Sequence, residues 1–364
     1  MARIEFHDLA HSYTTPPVES SWALRPMNIT WNDGGAYALL GPSGCGKTTL
    51  LNIISGLVTP SHGKVLFDGR DVTALAPQQR NIAQVFQFPV IYDTMTVFDN
   101  LAFPLRNRGW KAFDTRKRVQ EVAELLELTG DLQRRASGLT ADAKQKISLG
   151  RGLVRPDVAA ILFDEPLTVI DPHLKWLLRR KLKQIHQQLK LSLIYVTHDQ
   201  IEALTFADTV VVMTQGEVVQ SGTAQELFET PEHAFVGHFI GNPGMNFLPC
   251  ELRSDSGLDS AAVDGRVFPI DAGLVTRARN SGGPYQLGIR PEFIEYLATE
   301  QLNSQPIAIK SIQPMGTHTM VAAAIGKHTL WIKTRHDIRN ASDVAWMRVS
   351  AQHTLLYANE RRVR

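Results

Sequence analysis

The chain has 364 residues, 43 % hydrophobic and 20 % charged, with a net charge of +2. This is ordinary globular composition, long enough for two domains, and the near-neutral balance gives no electrostatic case for nucleic acid. Two cysteines, Cys45 and Cys250, and twelve scattered histidines form neither a disulfide framework nor a zinc-like cluster. The longest apolar runs, such as Ala159 to Phe163 and Thr209 to Met213, are strand-length, far short of the ~20 residues that span a bilayer. The opening Met-Ala-Arg-Ile-Glu-Phe-His-Asp lacks the apolar core of a signal peptide. A soluble, cytoplasmic protein with no membrane span of its own is expected.

Residues 1–235 alternate short β-like runs with helical stretches, which predicts an α/β sheet covered on both faces. Tyr37-Ala-Leu-Leu is the first buried-strand pattern. It leads into Gly41-Pro42-Ser43-Gly44-Cys45-Gly46-Lys47-Thr48-Thr49, which fits G-x-x-x-x-G-K-[ST] at every fixed position. The physics of this loop is specific. Backbone N–H groups from Ser43 to Thr48 can point into one concavity and hold phosphate oxygens. Gly41, Gly44 and Gly46 permit the torsions that requires. The helix starting near Lys47 adds its N-terminal dipole. Lys47 can reach the β- and γ-phosphates, and the Thr48 hydroxyl can ligate Mg²⁺. Cys45 reads as an ordinary loop residue and not a redox sensor.

Residues about 90–155 are mostly helical in pattern and interrupt the alternation, so they read as a helical insert. The basic runs Arg116 to Arg118 and Arg179 to Lys183 lie on helical patterns and read as solvated faces. Ala160-Ile-Leu-Phe then predicts a strand ending in Asp164-Glu165, at the carboxyl edge where open α/β sheets bind ligands. Asp164 would hold Mg²⁺ and Glu165 would polarise the attacking water. Further strands are predicted at Leu193-Ile-Tyr-Val and Thr209 to Met213. Gly241-Asn-Pro-Gly244 is a breaker cluster. Beyond it, apolar runs at 267–270, 285–289, 306–312, 318–323, 329–333 and 353–357 are separated by turn residues, which predicts an all-β second domain.

With these motifs in place the chain resembles the ABC ATPases over most of its length. The resemblance implies roles for single residues. Gln87, in Val85-Phe-Gln-Phe, matches the glutamine loop, which touches Mg²⁺ or the attacking water. His198, in Tyr195-Val-Thr-His-Asp, matches the switch histidine that contacts the γ-phosphate. Asp171, in Leu167-Thr-Val-Ile-Asp, matches the loop that crosses the dimer interface. Tyr13 matches the aromatic that stacks on adenine; otherwise it is a strand aromatic. Phe239-Ile-Gly-Asn-Pro-Gly-Met-Asn-Phe and Leu287-Gly-Ile-Arg-Pro-Glu resemble the regulatory domain of carbohydrate-importer ATPases, built of small OB-like barrels. The implied organisation is an ABC ATPase domain over 1–237 and an OB-like regulatory domain over 238–364. ATP and Mg²⁺ are the implied cofactors.

One segment departs from the family pattern. Leu139-Thr-Ala-Asp-Ala143 stands where the family reads Leu-Ser-Gly-Gly-Gln, and the following Lys144-Gln-Lys-Ile-Ser-Leu-Gly-Arg fixes the register. An alternative register, with Ser137-Gly138 as the remnant, would displace that helix. In the family's head-to-tail dimer this segment closes the partner's ATP, so Thr140 and Asp142 would act in trans, as would Asp171. Thr140 can still cap and donate a hydroxyl. Asp142 has two readings. Held ~5 Å from a γ-phosphate, it would cost roughly 3 kcal/mol per unneutralised charge at an effective dielectric of 20. Pointing away, it is a benign first-turn acid.

The resemblance therefore implies an ATP-hydrolysing subunit of a bacterial importer for a carbohydrate or polyol. The 139–155 stretch also resembles one of the paired ATPases of bacterial glycerol importers. The expected partners are a second, different ATPase, two transmembrane permease subunits and, indirectly, a periplasmic solute-binding protein. The expected place is the cytoplasmic face of the inner membrane, peripherally bound. Competing readings are a homodimer that tolerates the altered segment, a non-catalytic ATP-binding subunit, and an ABC ATPase acting on ribosomes or nucleic acid.

Overall fold

A computed structural model of the chain describes residues 2–14, 21–168, 170–255, 258–336, 338 and 344–364. By internal packing the chain divides into two units, Met1–Ala224 and Gln225–Arg364.

The first unit opens with β1 (Ile4–Ser12), β2 (Trp22–Trp31) and β3 (Ala36–Leu40), followed by α1 (Lys47–Ser55). Next come β4 (His62–Phe67), β5 (Arg70–Asp71), α2 (Pro77–Arg80) and β6 (Ala83–Val85). Three helices lie between β6 and the next strand: α3 (Val97–Arg106), α4 (Ala112–Leu125) and α5 (Ala141–Leu153). The unit ends with β7 (Ile161–Asp164), α6 (Pro172–Leu189), β8 (Leu193–Thr197), α7 (Gln200–Phe206), β9 (Thr209–Thr214) and β10 (Glu217–Gly222).

Among the described residues these strands make two sheets. In the larger, β9, β3, β8, β7 and β6 run parallel in that order, and β10 pairs antiparallel at the edge. Every residue of β3 and β8 is buried, as a central strand with covered faces requires. Leu39, Ile53, Leu162, Val196 and Val211 share one core cluster, so α1 is fastened directly beneath the central strands.

The smaller sheet, ordered β2-β1-β4-β5, is antiparallel and was not expected from the alternating pattern. Its register shifts three times along β1, between Phe6, Leu9, His11 and Ser12. Each shift breaks the period-2 signal that marks a half-buried strand.

The second unit is β-rich. Strands 246–249, 285–289, 354–358 and 361–362 form one sheet, and 251–255, 258–263 and 266–269 form a second. The third joins 295–297, 344–348, 305–314, 319–325 and 328–334. Their inner faces share a core that includes Phe268, Leu287, Val321, Ile332 and Leu356. A helix, Leu274–Ser281, packs its buried Leu274, Val275 and Ala278 against the same core. Arg290 is fully buried. Its guanidinium donates to the carbonyls of Phe228 (2.8 Å), Gly237 (2.8 Å) and Ile240. It also lies 4.5 Å from the Phe228 ring centroid. Burial pulls its pKa down to about 10.

Candidate active site

The carboxyl edge of the parallel sheet gathers four loops. β3 releases the Gly41–Gly46 loop, β6 leads to Gln87, β7 ends on Asp164 and β8 leads to His198. Because β6, β7, β8 and β3 are parallel neighbours, these loops emerge side by side.

In the glycine loop, Gly44 and Gly46 adopt φ of +80° and +100°, which side chains rarely tolerate. Gly41 is required for a different reason from the expected torsion. A Cβ there would run into the Met213 carbonyl oxygen of β9. α1 starts on Gly46 without any side-chain cap, so its first N–H groups remain donors for an anion. Lys47 is almost fully buried, and its Nζ donates to the carbonyls of Gly41 (2.8 Å) and Pro42 (2.9 Å). The ammonium therefore lies folded against the loop it serves. Cys45 is buried beside it, and burial pushes its thiol pKa up, which suits an inert packing residue. Tyr13 is exposed, stands edge-on to His11 (4.5 Å) and shares a hydrogen bond with Thr49 Oγ1 (3.2 Å). That places an aromatic ring beside the first turn of α1.

The Thr48 hydroxyl donates to Asp164 Oδ1 at 3.3 Å. Burial, reinforced by neighbouring Glu165, raises the Asp164 pKa, while the Thr48 hydrogen bond opposes the rise. Glu165 is in the left-handed region at φ +46°. Its N–H donates to the Val196 carbonyl, extending the β7–β8 pairing by one residue. Its carboxylate accepts from His198 Nδ1 (3.0 Å) and from the Thr168 hydroxyl (3.4 Å). His198 is held by its neighbours. Asp199 caps α7 through the N–H groups of Ile201 and Glu202, and buried Glu202 accepts from Tyr195 and Thr197.

Gln87 is half-buried in a bend two residues beyond β6. Asp171 precedes α6, and its carbonyl accepts the Lys175 N–H. α5 begins at Ala141 with Thr140 as N-cap, its hydroxyl accepting from Ala143 N–H (3.3 Å). The helix start thus falls on the 139–143 segment, while Ser137-Gly138 lies in a preceding 3₁₀ turn. Asp142 turns along the helix to Lys146, 3.5 Å away at i,i+4, in a cleft with Leu125, Leu126 and Leu177.

Two contributors were not singled out in the sequence. Thr168 touches the Glu165 carboxylate, and Gln145 of α5 reaches the Pro166 carbonyl. A lone threonine in a loop and a lone glutamine in a helix carry no spacing signal that could have revealed them.

A buried lysine beside backbone donors, faced by carboxylates from the end of β7, equips a P-loop nucleotide hydrolase, and the sheet order agrees with that class. Comparison with known proteins narrows the class. A family model described as "ABC transporter" matches residues 24–168. The sn-glycerol-3-phosphate import ATP-binding protein UgpC of Shigella sonnei is 35 % identical over 349 residues, covering 94 % of this chain and 96 % of that protein. UgpC of Salmonella typhi is 36 % identical with the same coverage. UgpC of Bordetella avium is 35 % identical over 92 % of this chain and 89 % of its own. The solved structure of cbiO1 from Clostridium perfringens, part of the ABC transporter complex cbiONQ, matches with a TM-score of 0.57 at 24 % identity. It covers 62 % of this chain and 90 % of that one, and shows the shared fold. The chain belongs to the ABC transporter family, among its ATP-hydrolysing subunits.

Proposed function

We propose that this chain drives import of a polyol or its phosphate ester, with glycerol and glycerol 3-phosphate as the first candidates, by hydrolysing ATP at the Lys47–Asp164–Glu165–His198 site. The Glu165 arrangement carries the reading. A carboxylate held at the strand end by His198 and Thr168 is positioned to orient a water and take its proton. Lys47 and the N–H groups at the start of α1 bind and orient the phosphates. Tyr13 offers its ring to the adenine.

Thr48 and Asp164 fit a hard divalent cation. They bring two oxygens together, and burial raises the Asp164 pKa, a cost to the ionised carboxylate that a bound cation would offset. Mg²⁺ bound there would neutralise charge on the β- and γ-phosphates, and Gln87, on the loop after β6, would be its further ligand. The experiment is ATP hydrolysis by the complex purified from host membranes. Glu165→Gln should lower the rate on the order of 100-fold or more while ATP still binds. Retention of full activity would refute the assignment. Radiolabelled glycerol and glycerol 3-phosphate uptake in a deletion strain would separate the two solutes. UgpC is described as a glycerol-3-phosphate importer subunit, which favours the ester.

The partners follow from the same reading. No described helix is long and apolar enough to cross a membrane, so the solute path is assigned to two permease subunits, fed by a solute-binding protein. The exposed Phe86, Phe88, Val90 and Tyr92 beyond β6 would meet them, holding the chain to the inner face of the membrane. Pairing with a second, different ATPase rests on Ala141 and Asp142. Each adds a Cβ where the family closes glycine N–H groups on the partner's nucleotide. Tagging the chain in its host and identifying its stoichiometric companions tests this. A second ATPase with an intact Ser-Gly-Gly segment supports it, and recovery of this chain as the sole ATPase on the permeases refutes it.

A further inference from the structure

Gln145 is fully buried in α5. Its Nε2 donates to the Pro166 carbonyl at 2.5 Å, 21 residues away in sequence. Its Oε1 is buried too and, among the described residues, has no hydrogen-bond partner. A buried amide that satisfies only half its capacity is a poor packing choice, since an apolar side chain of similar length would fill the space without an orphaned oxygen. The bond it does make is therefore the feature to explain.

That bond fixes the residue after Glu165. Proline has no N–H, so its carbonyl is the only backbone group through which the Pro166 peptide can be anchored. Glu165 itself sits at φ +46°, a conformation that persists for a bulky residue only when its surroundings impose it. Three bonds impose it here: Glu165 N–H to Val196, Thr168 N–H to the Glu165 carbonyl, and Gln145 to Pro166. The first two come from the strand and the turn. The third comes from α5, whose first turn carries Thr140 and Asp142. α5 is braced at two further points. Lys144 pairs with Asp93 (2.9 Å), and Arg151 lies 4.6 Å from the Tyr92 ring and reaches Asn100 (3.4 Å).

We infer that Gln145 is a positioning residue that makes the Glu165 turn move with α5. The inference rests on the hydrolytic role proposed for Glu165. It links two sites that the dimer arrangement assigns to different nucleotides. A displacement of Thr140 and Asp142 at the partner's nucleotide is passed along α5 to this chain's own carboxylate. Hydrolysis here then depends on what the altered segment meets across the interface.

The test compares wild type, Gln145→Met and Glu165→Gln in the complex purified from host membranes. Methionine keeps the length and volume but cannot donate. The expected result for Gln145→Met is a kcat lower by about tenfold, with KM for ATP within about twofold of wild type. Its melting temperature should stay close to that of wild type, because the orphaned Oε1 is gone while the buried Pro166 carbonyl loses its donor. An unchanged kcat overturns the inference. So does a kcat loss matched by a fall in melting temperature or in ATP affinity, which would make Gln145 a packing residue. A wild-type rate in Glu165→Gln would instead sink the assignment of Glu165, and this inference with it. That outcome is distinct from a failure confined to Gln145.

Discussion

Asp142 shows how a side-chain orientation changes an electrostatic argument. The carboxylate that could have repelled a γ-phosphate pairs with Lys146 on its own helix, and one oxygen is buried without a partner among the described residues. What remains unusual is steric, the two extra Cβ atoms at 141 and 142. Asp142→Gly should therefore leave hydrolysis unchanged or raise it. Loss of the i,i+4 pair, loss of the dipole contact and the glycine penalty together should cost about 1–2 kcal/mol. Thermal melting beside an ATPase assay checks both halves. Asp164 supplies a pH prediction. Its folded pKa is raised, so its contribution to stability is present at low pH and is lost as pH rises through the folded value. Near neutrality the ionised carboxylate opposes folding unless a cation compensates it. Asp164→Asn should thus raise the melting temperature in chelator at neutral pH, and the advantage should vanish in strong acid. Saturating Mg²⁺ should stabilise wild type and leave the variant unmoved. These residues differed in legibility. Lys47, Thr48, Asp164 and Glu165 stand in spaced motifs. Thr168 and Gln145 act through single contacts made only when distant loops meet.

At the scale of elements, the parallel sheet was the readable part. Ala36–Leu40 and Leu193–Thr197 are apolar because both sheet faces are covered, and that burial is written directly into composition. β1 is different. Its bulges place Phe6, Leu9 and His11 out of simple alternation, so a strand of nine residues left no period. Helix 274–281 was hidden too. It starts on Gly273 in the left-handed region, with no capping side chain to announce it. The start of α5 was legible, since Thr140 stands as its N-cap. Thr140→Ala removes the acceptor for Ala143 N–H and should cost about 1 kcal/mol. Because Gln145 makes the Glu165 turn move with α5, the variant should melt slightly earlier and also lose part of its own-site hydrolysis rate. Equilibrium denaturation paired with single-turnover hydrolysis separates the two effects.

At the scale of the whole molecule, the relatives match both units, since UgpC aligns over 94 % of the chain. The β-rich character of the second unit was legible in its evenly spaced apolar runs. The hairpin of 251–255 with 258–263 was not, because Glu, Arg, Ser and Asp dominate its sequence. Arg290 was seen only as part of a resemblance, and its burial sets a practical boundary. The guanidinium gathers carbonyls from Phe228, Gly237 and Ile240 around one buried charge. Cutting the chain between residues 237 and 238 would strip two of those acceptors away and strand a cation in the interior, at a cost on the order of 3–5 kcal/mol. A fragment of residues 225–364 should express as a cooperatively melting protein, whereas one of residues 238–364 should aggregate or melt without cooperativity. For anyone dissecting this chain in the laboratory, the scissors belong before Gln225.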